Sequence, residues 1–501
     1  MSPSSNISRK AIILIMITAL LAASLSIPAY AKSKVKLSKS KLTITEGKST
    51  TLKLSGTTAK ATWTVSGRKL VTIKTSGKKR HKAVIKAKKG KSGNCVIKVK
   101  VGKKTLNCKV TVKSAKDPEP KPEPEPDKFT NGVTDTSVSM LKYLCATEKD
   151  PNRNILISPD SILTAMAMAE NGAENNTLAE MEKAFGNIPV EEFSESLSRL
   201  NGRLTESKAV KYHIANSIWY KDNEDDIKVN ESFIQKNLEF FGAETFKAPF
   251  SNETIEQINA WVNENTKGMI KKIIDDFNKD TVMLLINAIA FEGEWADQYE
   301  EGNVKNQPFY NEDGTVQKKV DMLCGTEDTY IEVKGAEGFI KRYKGGEIAF
   351  MGLETPDGMT VDQFIQSLSG DDLIKGYYNR TNEYIVKTRM PEFKYDYDAS
   401  LVDSLYDLGI HDAFNSFTAD FTGIAPKEQP LVISDVLHKT HIELDRNGTK
   451  AAAVTAVVIE KASAAPEQKK EKTVDLDHPF VYAIIDTESG IPLFIGTVKT
   501  V

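Results

Sequence analysis

The sequence has 501 residues, of which 40% are hydrophobic, so the chain is long enough to bury more than one apolar core. The formal net charge at pH 7 is −1, and four cysteines are too few for a disulfide-rich scaffold. After residue 31, no stretch approaches the roughly 20 consecutive apolar residues that span a membrane as a helix. These values predict a protein of about two to four domains without a membrane span.

Residues 1–31 have the features of a secretory signal peptide. Arg9 and Lys10 precede an apolar run over residues 11–25, and an A-x-A cleavage pattern ends at Ala31. No cysteine follows the run to accept a lipid. We therefore expect a secreted protein that is extracellular or associated with the cell surface.

Residues 32–116 form a strongly basic region with 26 lysine and arginine residues and one acid, Glu46. Short segments alternate apolar and polar residues and are separated by glycines, which predicts a small all-β sandwich. The segments are KLTITEG, TTLKLSG, ATWTVSG, VTIKTSG, AVIKAKKG, CVIKVKVG and CKVTVK. Cys95 and Cys108 are placed for a local disulfide, and two free thiols fit the pattern equally well.

This basic region resembles a bacterial immunoglobulin-like module of the kind found on exported surface proteins. Two interpretations follow from its charge. The region is either a spacer with solvated lysines or an adhesive surface for an anionic cell-wall polymer or acidic glycan, because its charge creates a long-range attractive field. Nucleic acid is not expected as a partner, since the region has neither a recognition helix nor an aromatic base-stacking platform.

A Pro- and Glu-rich segment, DPEPKPEPEPD at residues 117–127, separates the basic region from the rest of the chain. Alternating prolines and acids favour extended, self-repelling geometry, so this segment is predicted to be a semi-rigid linker. Residues 117–501 contain 39 basic and 67 acidic residues. The predicted boundaries are therefore 32–116 for the basic domain, 117–127 for the linker and 128–501 for a large acidic domain.

The common enzymatic motifs G-x-S-x-G, H-E-x-x-H and G-x-G-x-x-G do not occur in the sequence. His438 and His441 are three residues apart in a segment that is typical of a strand, where such positions point to opposite faces and cannot converge on a metal. We therefore expect no catalytic residues, no metal and no cofactor.

Residues 154–181, NILISPDSILTAMAMAENGAENNTLAEM, strongly resemble the start of a serpin. Locally, Ser158 can cap a helix in which Pro159 suits the first turn. Other similar segments follow in the order of the family. They are ANSIWY at 215–220, a predicted helix INAWVNENTKGMI at 258–270, a central strand VMLLINAIAFEGEW at 282–295, ISDVLHKTHIELDRNGTK at 433–450 and a closing hairpin HPFVYAIIDTESGIPLFIGTV at 478–498.

On these segments, residues 128–501 are identified as a member of the serpin family. The resemblance implies an α+β fold with three β-sheets, surrounding helices and an exposed reactive loop. It also implies that the protein is not an enzyme but a monomeric inhibitor that forms a covalent complex with a serine protease. By family match, the polar cluster where the main sheet opens (the shutter) is Ser158, Ser161, Asn287 and His438, and insertion begins beside Trp295 (the breach).

The long segment between Leu444 and Phe480 corresponds to the reactive loop, which in serpins is cleaved by a protease and then inserts as a new strand. Gly448 marks the hinge. If the loop inserts as a strand, the side chains at alternate positions (one parity) must enter the protein interior. The residues of one parity are all small or β-branched. That parity holds Thr449, Ala451, Ala453, Thr455, Val457 and Ile459. The opposite parity holds Lys450, Ala452, Val454, Ala456, Val458 and Glu460.

The loop departs from the family pattern in three respects. Arg446 replaces the usual glutamate two residues before the hinge glycine, Val454 is larger than the common alanine, and EQKKEKTVD lengthens the far side of the loop. Counting from Gly448 by the family spacing places the scissile bond between Ala462 and Ser463. Ala462 suits elastase-like or subtilisin-like proteases, and Lys461 would instead give trypsin-like specificity. A non-inhibitory serpin or a surface-binding protein remains the alternative function.

Overall fold

The computed structural model describes residues 34–67, 69–89, 91–113, 126–223, 225–277, 281–449 and 469–501. The chain separates into two compact units, residues 1–123 and 124–501. The predicted signal peptide and residues 114–125, which include most of the predicted linker, lie outside the described residues. No helix in the described ranges is long and apolar enough to cross a membrane.

The described part of the first unit is built from eight strands. They are β1 (Lys36–Leu37), β2 (Lys41–Thr45), β3 (Ser49–Ser55), β4 (Ala61–Gly67), β5 (Val71–Ser76), β6 (Lys82–Ala87), β7 (Gly93–Val101) and β8 (Lys104–Lys113). Two four-stranded sheets result, in the orders β1-β3-β6-β5 and β2-β8-β7-β4. Strand alternation sends one side chain in two into a shared apolar core, where Leu52, Ile85, Ile97 and Val99 are fully buried.

Cys95 and Cys108 both lie in this core on neighbouring strands. Cys95 is opposite Val110, and Cys108 is opposite Ile97, so the two thiols are diagonal neighbours on the inward face. Both are buried and free in the structure, which therefore shows the unbridged alternative.

The second unit contains nine α-helices in its described part. They are α1 (Lys128–Thr147), α2 (Pro159–Glu170), α3 (Asn175–Ala184), α4 (Val190–Thr205), α5 (Glu231–Phe241), α6 (Asn252–Asn265), α7 (Val361–Ser367), α8 (Gly370–Tyr378) and α9 (Val402–Asp407). Helix α2 begins as predicted, because Ser158 caps it by accepting a hydrogen bond from the Ser161 amide and Pro159 occupies the first turn.

The strands of the second unit form three sheets. The central sheet has the order β11 (Glu244–Ala248), β10 (Lys211–Lys221), β12 (Met283–Glu294), β21 (Gly448–Thr449), β20 (Leu437–Asp445) and β19 (Phe393–Ser400). The C-terminal sheet has the order β15 (Tyr330–Val333), β16 (Ala336–Arg342), β17 (Ile348–Glu354), β23 (Phe480–Asp486), β24 (Pro492–Val498) and β9 (Leu156–Ile157). The third sheet has the order β13 (Val304–Tyr310), β14 (Val316–Glu327), β18 (Tyr384–Pro391) and β22 (Lys470–Asp475).

The closing hairpin is present as predicted, since β23 and β24 pair antiparallel and every residue of both strands is buried. In the central sheet, β12 pairs antiparallel with β10 over its length, from Met283 opposite Tyr220 to Glu292 opposite Lys211. On the other side, β20 pairs antiparallel with β19. Among the described residues, the two residues of β21 are the ones that pair with both β12 and β20.

The predicted helix at residues 258–270 is wrong at both ends. Helix α6 spans Asn252–Asn265, and its start is fixed by a capping box at Ser251. It ends because Lys267 and Gly268 adopt positive φ angles of 53° and 81°. The Thr266 hydroxyl then accepts a hydrogen bond from the Ile270 amide at 3.0 Å, so the chain turns before Ile270.

Candidate functional site in the central sheet

The described end of the long loop lies inside the central sheet. Gly448 is opposite Glu294 of β12 and Asp445 of β20, and Thr449 is opposite Gly293 and Leu444. A Cβ atom at Gly448 would lie 2.0 Å from the Gly293 carbonyl oxygen, so only glycine fits there. The predicted hinge residues Gly448 and Thr449 thus form the short strand β21 between β12 and β20.

Thr449 is buried with 4% of its surface exposed. Its hydroxyl lies 2.6 Å from the Tyr343 hydroxyl. Burial raises the pKa of Tyr343, so this phenol stays protonated and can share the hydrogen bond. The side chain of Thr449 therefore points into the protein, as the predicted parity requires.

A small cavity lies beyond Thr449 between the two flanking strands. Its walls are Ile289, Ala290 and Phe291 of β12 and Thr440, His441 and Ile442 of β20; Met269, Ile270, Ile484 and Phe494 complete the lining. Among the described residues, β12 and β20 pair with β21 but not with each other. The edges of β12 and β20 that face each other below Thr449 therefore have no strand partner among the described residues.

Trp295 lies directly after β12, where the hinge enters the sheet, and is fully buried. Its indole stacks on Tyr343 with ring centroids 4.4 Å apart. Its Nε1–H donates to the carbonyl oxygen of Asp445 at 2.9 Å, and its backbone N–H donates to the carbonyl oxygen of Asn447 at 2.9 Å. Trp295 therefore connects the end of β12 to the turn between β20 and β21, at the predicted breach position.

A buried ion pair beside Trp295 was not predicted from the sequence. Lys341 has 4% of its side chain exposed, and its Nζ lies 2.8 Å from Oε1 of Glu327. The ammonium also lies 4.4 Å from the ring centre of Tyr299 and 5.5 Å from that of Trp295. Burial raises the pKa of Glu327, and the charge of Lys341 opposes that shift. The sequence signal was a lysine that directly follows the apolar residues Phe339 and Ile340.

The unusual Arg446 has an acidic neighbour in the structure. Its backbone N–H donates to Oε1 of Glu392 at 3.0 Å. Burial raises the pKa of Glu392, whereas this hydrogen bond and the positive charge of Arg446 lower it. Glu392 follows β18 directly, so the backbone just before the hinge is held by a residue far away in sequence.

The four predicted shutter residues are brought together at the other end of the cavity. The Ser158 amide donates to Nε2 of His438 at 3.1 Å, and the Ser158 hydroxyl donates to the Leu493 carbonyl oxygen at 2.9 Å. The Ser161 hydroxyl donates to Oδ1 of Asn287 at 2.5 Å. All four side chains line one small cavity with β20 residues and Phe494.

Asn216 of β10 extends this polar chain, although the sequence analysis did not single it out. Nδ2 of Asn287 donates to Oδ1 of Asn216 at 2.7 Å, and Nδ2 of Asn216 donates to the Phe241 carbonyl oxygen at 2.9 Å. Asn216 lies in the segment ANSIWY. A polar residue within a buried strand was the sequence feature that could have identified it as part of the cluster. The cluster therefore connects helix α2 to three strands of the central sheet.

His438 and His441 point to opposite sides of β20. Nε2 of His438 is an acceptor in the shutter, whereas Nδ1 of His441 lies 2.6 Å from Oδ1 of Asp396. Because Nε2 of His438 accepts a hydrogen bond, this ring is neutral, and burial lowers its pKa to about 4.

We expect His438 to make the protein less stable as the pH falls. The folded-state pKa of about 4 is below the unfolded value of about 6.5, so the stability is present above pH 6.5 and is lost as the pH falls towards 4. The loss amounts to about 3 kcal/mol at most. Urea unfolding of the wild type and His438→Gln from pH 4 to pH 7.5 measures it.

The difference between the two proteins is the informative quantity in this experiment. Asp160 is buried beside the cluster and its pKa is raised to about 6 by burial, so it acts in the opposite sense and stabilises the fold as the pH falls. Asp160 is present in both proteins and cancels in the difference. If the difference in unfolding free energy were independent of pH, His438 would not be the titrating group.

The predicted loop residues at positions 450–463 lie outside the described part of the chain, and seven of them were assigned to the hinge or the cleavage site. They are Ala451, Ala452, Ala453, Thr455, Lys461, Ala462 and Ser463, all within residues 450–468. The structure thus describes the entry point of the loop and both walls of the cavity beyond it.

Three sheets with surrounding helices, and a long loop that begins at a strand of the six-stranded central sheet, define an α+β fold. The family model described as Serpin (serine protease inhibitor) matches residues 131–500. The chain therefore belongs to the serpin family, which confirms the resemblance seen in the sequence. Members of this family are generally protease inhibitors and are not enzymes.

Relatives with this fold cover most of the second unit. A serpin-like protein of Thermococcus kodakarensis is 31% identical over 356 residues, which cover 69% of this chain and 80% of the relative. Human neuroserpin is 29% identical over 384 residues, 73% of this chain and 90% of its own. The native thermophilic serpin Tengpin is 38% identical with a TM-score of 0.68, covering 75% of this chain and 95% of its own.

Proposed function

We propose that this serpin is a secreted suicide-substrate inhibitor of serine proteases. One observation carries the proposal: Gly448 and Thr449 already pair with both β12 and β20, at the top of a cavity between these strands. A cleaved loop can continue along the same two strands. The protein then acts by a single conformational change and not by turnover.

The inhibitory step begins when the target protease attacks the loop and forms an acyl-enzyme. Insertion of the loop carries the attached protease across the molecule and distorts its active site before the ester is hydrolysed. About a dozen inserted residues add a similar number of backbone hydrogen bonds at roughly 0.5–1.5 kcal/mol each, so the driving force is of order 10 kcal/mol. This free energy is sufficient to deform a bound enzyme.

The loop composition supports insertion over a non-inhibitory role. The alternate positions from 451 to 459, which share the parity of Thr449, are Ala, Ala, Thr, Val and Ile. These side chains suit the aliphatic residues in the walls of the cavity. A non-inhibitory serpin is expected to carry bulky, charged or proline residues at these positions. Thyroxine-binding globulin shares the fold with a TM-score of 0.64 at 23% identity, a likeness that concerns the fold alone.

The target is an elastase-like or subtilisin-like protease that cleaves between Ala462 and Ser463. The small side chain of Ala462 suits a shallow apolar primary pocket, and the alternative bait Lys461 suits a trypsin-like one. Export by the predicted signal peptide brings the inhibitor to extracellular proteases. The strand-rich first unit is proposed to be an immunoglobulin-like domain, and the inhibitor to act as a monomer.

The proposal is tested by incubating the full chain with elastase, subtilisin and trypsin. We expect a covalent complex with at least one of them that survives denaturing gel electrophoresis. We also expect the loop-cleaved protein to unfold at a higher temperature than the intact one, because the new strand is paired. Cleavage by all three without a covalent complex or a rise in unfolding temperature would overturn inhibition by insertion and favour a non-inhibitory serpin.

A further inference from the structure

The outer faces of the first unit carry regularly spaced lysines. On the sheet β1-β3-β6-β5, the exposed outward lysines are Lys36, Lys53, Lys74, Lys82 and Lys86. On the sheet β2-β8-β7-β4, they are Lys41, Lys98, Lys100, Lys109 and Lys113. The other outward strand positions are serine, threonine, asparagine and two valines, Val84 and Val96. Both faces are therefore basic and hydrophilic.

Several of these lysines are direct neighbours of each other. Lys53 is opposite Lys82 on β3 and β6, and Lys41 is opposite Lys109 on β2 and β8. Like charges directly opposite each other destabilise a pair of strands. Glu46 is the one acidic residue of the region, and its Oε2 accepts a hydrogen bond from the Lys91 amide. A single carboxylate cannot neutralise ten exposed lysines, so most of this charge is not balanced inside the unit.

The arrangement of the charges matches a linear partner. Lysines on alternate positions of one strand lie about 6.8 Å apart, and those on adjacent strands lie about 4.8 Å apart. The result is a grid of positive charges in which serine, threonine and asparagine side chains offer hydrogen bonds between the ammonium groups. A polymer with closely spaced anionic groups can contact several points of the grid at once and release its counterions.

We propose that these two lysine faces bind a linear acidic polysaccharide. The outward strand positions carry no aromatic side chain on which the bases of a nucleic acid could stack. They also form no extended apolar patch that would suit a protein partner. Sugar hydroxyl groups, in contrast, complement the serine, threonine and asparagine side chains between the charges.

The experiment measures binding of the full chain to alginate, a polyuronate, with neutral dextran and single-stranded oligo-dT as comparison ligands. We expect binding to alginate that weakens by about tenfold or more between about 0.05 and 0.2 M salt, because several contacts between lysines and carboxylates release counterions. Dextran should not bind, and oligo-dT should bind more weakly than alginate. Failure to bind alginate, or tighter binding to oligo-dT, would overturn the proposal.

Matched variants locate the surface. Replacing Lys41, Lys53, Lys82 and Lys109 by serine removes both opposed pairs, and we expect about tenfold or greater loss of affinity for alginate with a smaller salt dependence. The control replaces four exposed lysines of the second unit by serine, which changes the net charge equally. These are Lys149, Lys208, Lys236 and Lys318. An equal loss in the control would show that only the net charge matters and would overturn the assignment.

A charge-conserving variant separates binding from folding. Arginine at positions 41, 53, 82 and 109 keeps the grid, so the affinity should stay within about threefold of the wild type. Removing the opposed charges should also leave the unfolding temperature of the first unit unchanged or higher, since like-charge repulsion is relieved. If the arginine variant lost binding as fully as the serine variant while both kept their circular dichroism spectra, the electrostatic surface would be refuted.

Discussion

Thr449→Arg should convert the inhibitor into a substrate. The Thr449 side chain is buried between β12 and β20 and lies 2.6 Å from the Tyr343 hydroxyl, so a guanidinium there must displace Tyr343 or keep the hinge out of the sheet. A buried charge without a partner costs several kcal/mol, which is a large part of the driving force for insertion. Deacylation then precedes insertion, and the protease is released active.

The measurement is the number of inhibitor molecules consumed for each protease molecule inactivated. We expect a rise of about tenfold or more for Thr449→Arg, with a cleaved loop in place of the covalent complex. The matched control is Ala452→Arg, because the opposite parity is predicted to face away from the interior and should be affected less. Equal trapping by Thr449→Arg and the wild type would show that the loop does not insert along β12 and β20.

The strands that flank the cavity were predicted from the sequence, one from its local pattern around His438 and His441 and the other from the family resemblance of residues 282–295. The alternation in residues 437–445 and the apolar run in residues 283–294 each correspond to a strand of the central sheet. The four residues of the predicted shutter come together because family motifs carry their relative positions. Helix α6 was misplaced because the turn at Lys267 depends on its positive φ and on the Thr266 hydroxyl, which leave no periodic signal.

The contacts that the sequence did not reveal join strands distant in the chain. Lys341 and Glu327 are 14 residues apart, and Glu392 is 54 residues from Arg446. Considered alone in the sequence, each of these charged residues would be predicted to face solvent. The contacts between them depend on how β14, β16, β18 and the hinge pack beside Trp295. No local sequence pattern predicts that packing. Arg446 therefore departs from the family pattern with a compensating acid nearby.

Ala462→Arg should exchange elastase inhibition for trypsin inhibition. The side chain before the scissile bond enters the primary pocket of the protease, and a long basic group fits the acidic pocket of trypsin but not the shallow apolar pocket of elastase. We expect the inhibition rate constant for elastase to fall by about a hundredfold or more and that for trypsin to rise by a similar factor. Both are measured by residual protease activity against time.

Lys461→Ala distinguishes this assignment from the alternative one. If the bond after Ala462 is cleaved, the Lys461→Ala variant keeps most of its elastase inhibition, since Lys461 lies one position before the pocket residue. If Lys461 is the bait, wild-type protein inhibits trypsin and Lys461→Ala abolishes that inhibition. Mass spectrometry of the small fragment released from the complex gives an independent answer, because it begins at Ser463 in the first case and at Ala462 in the second.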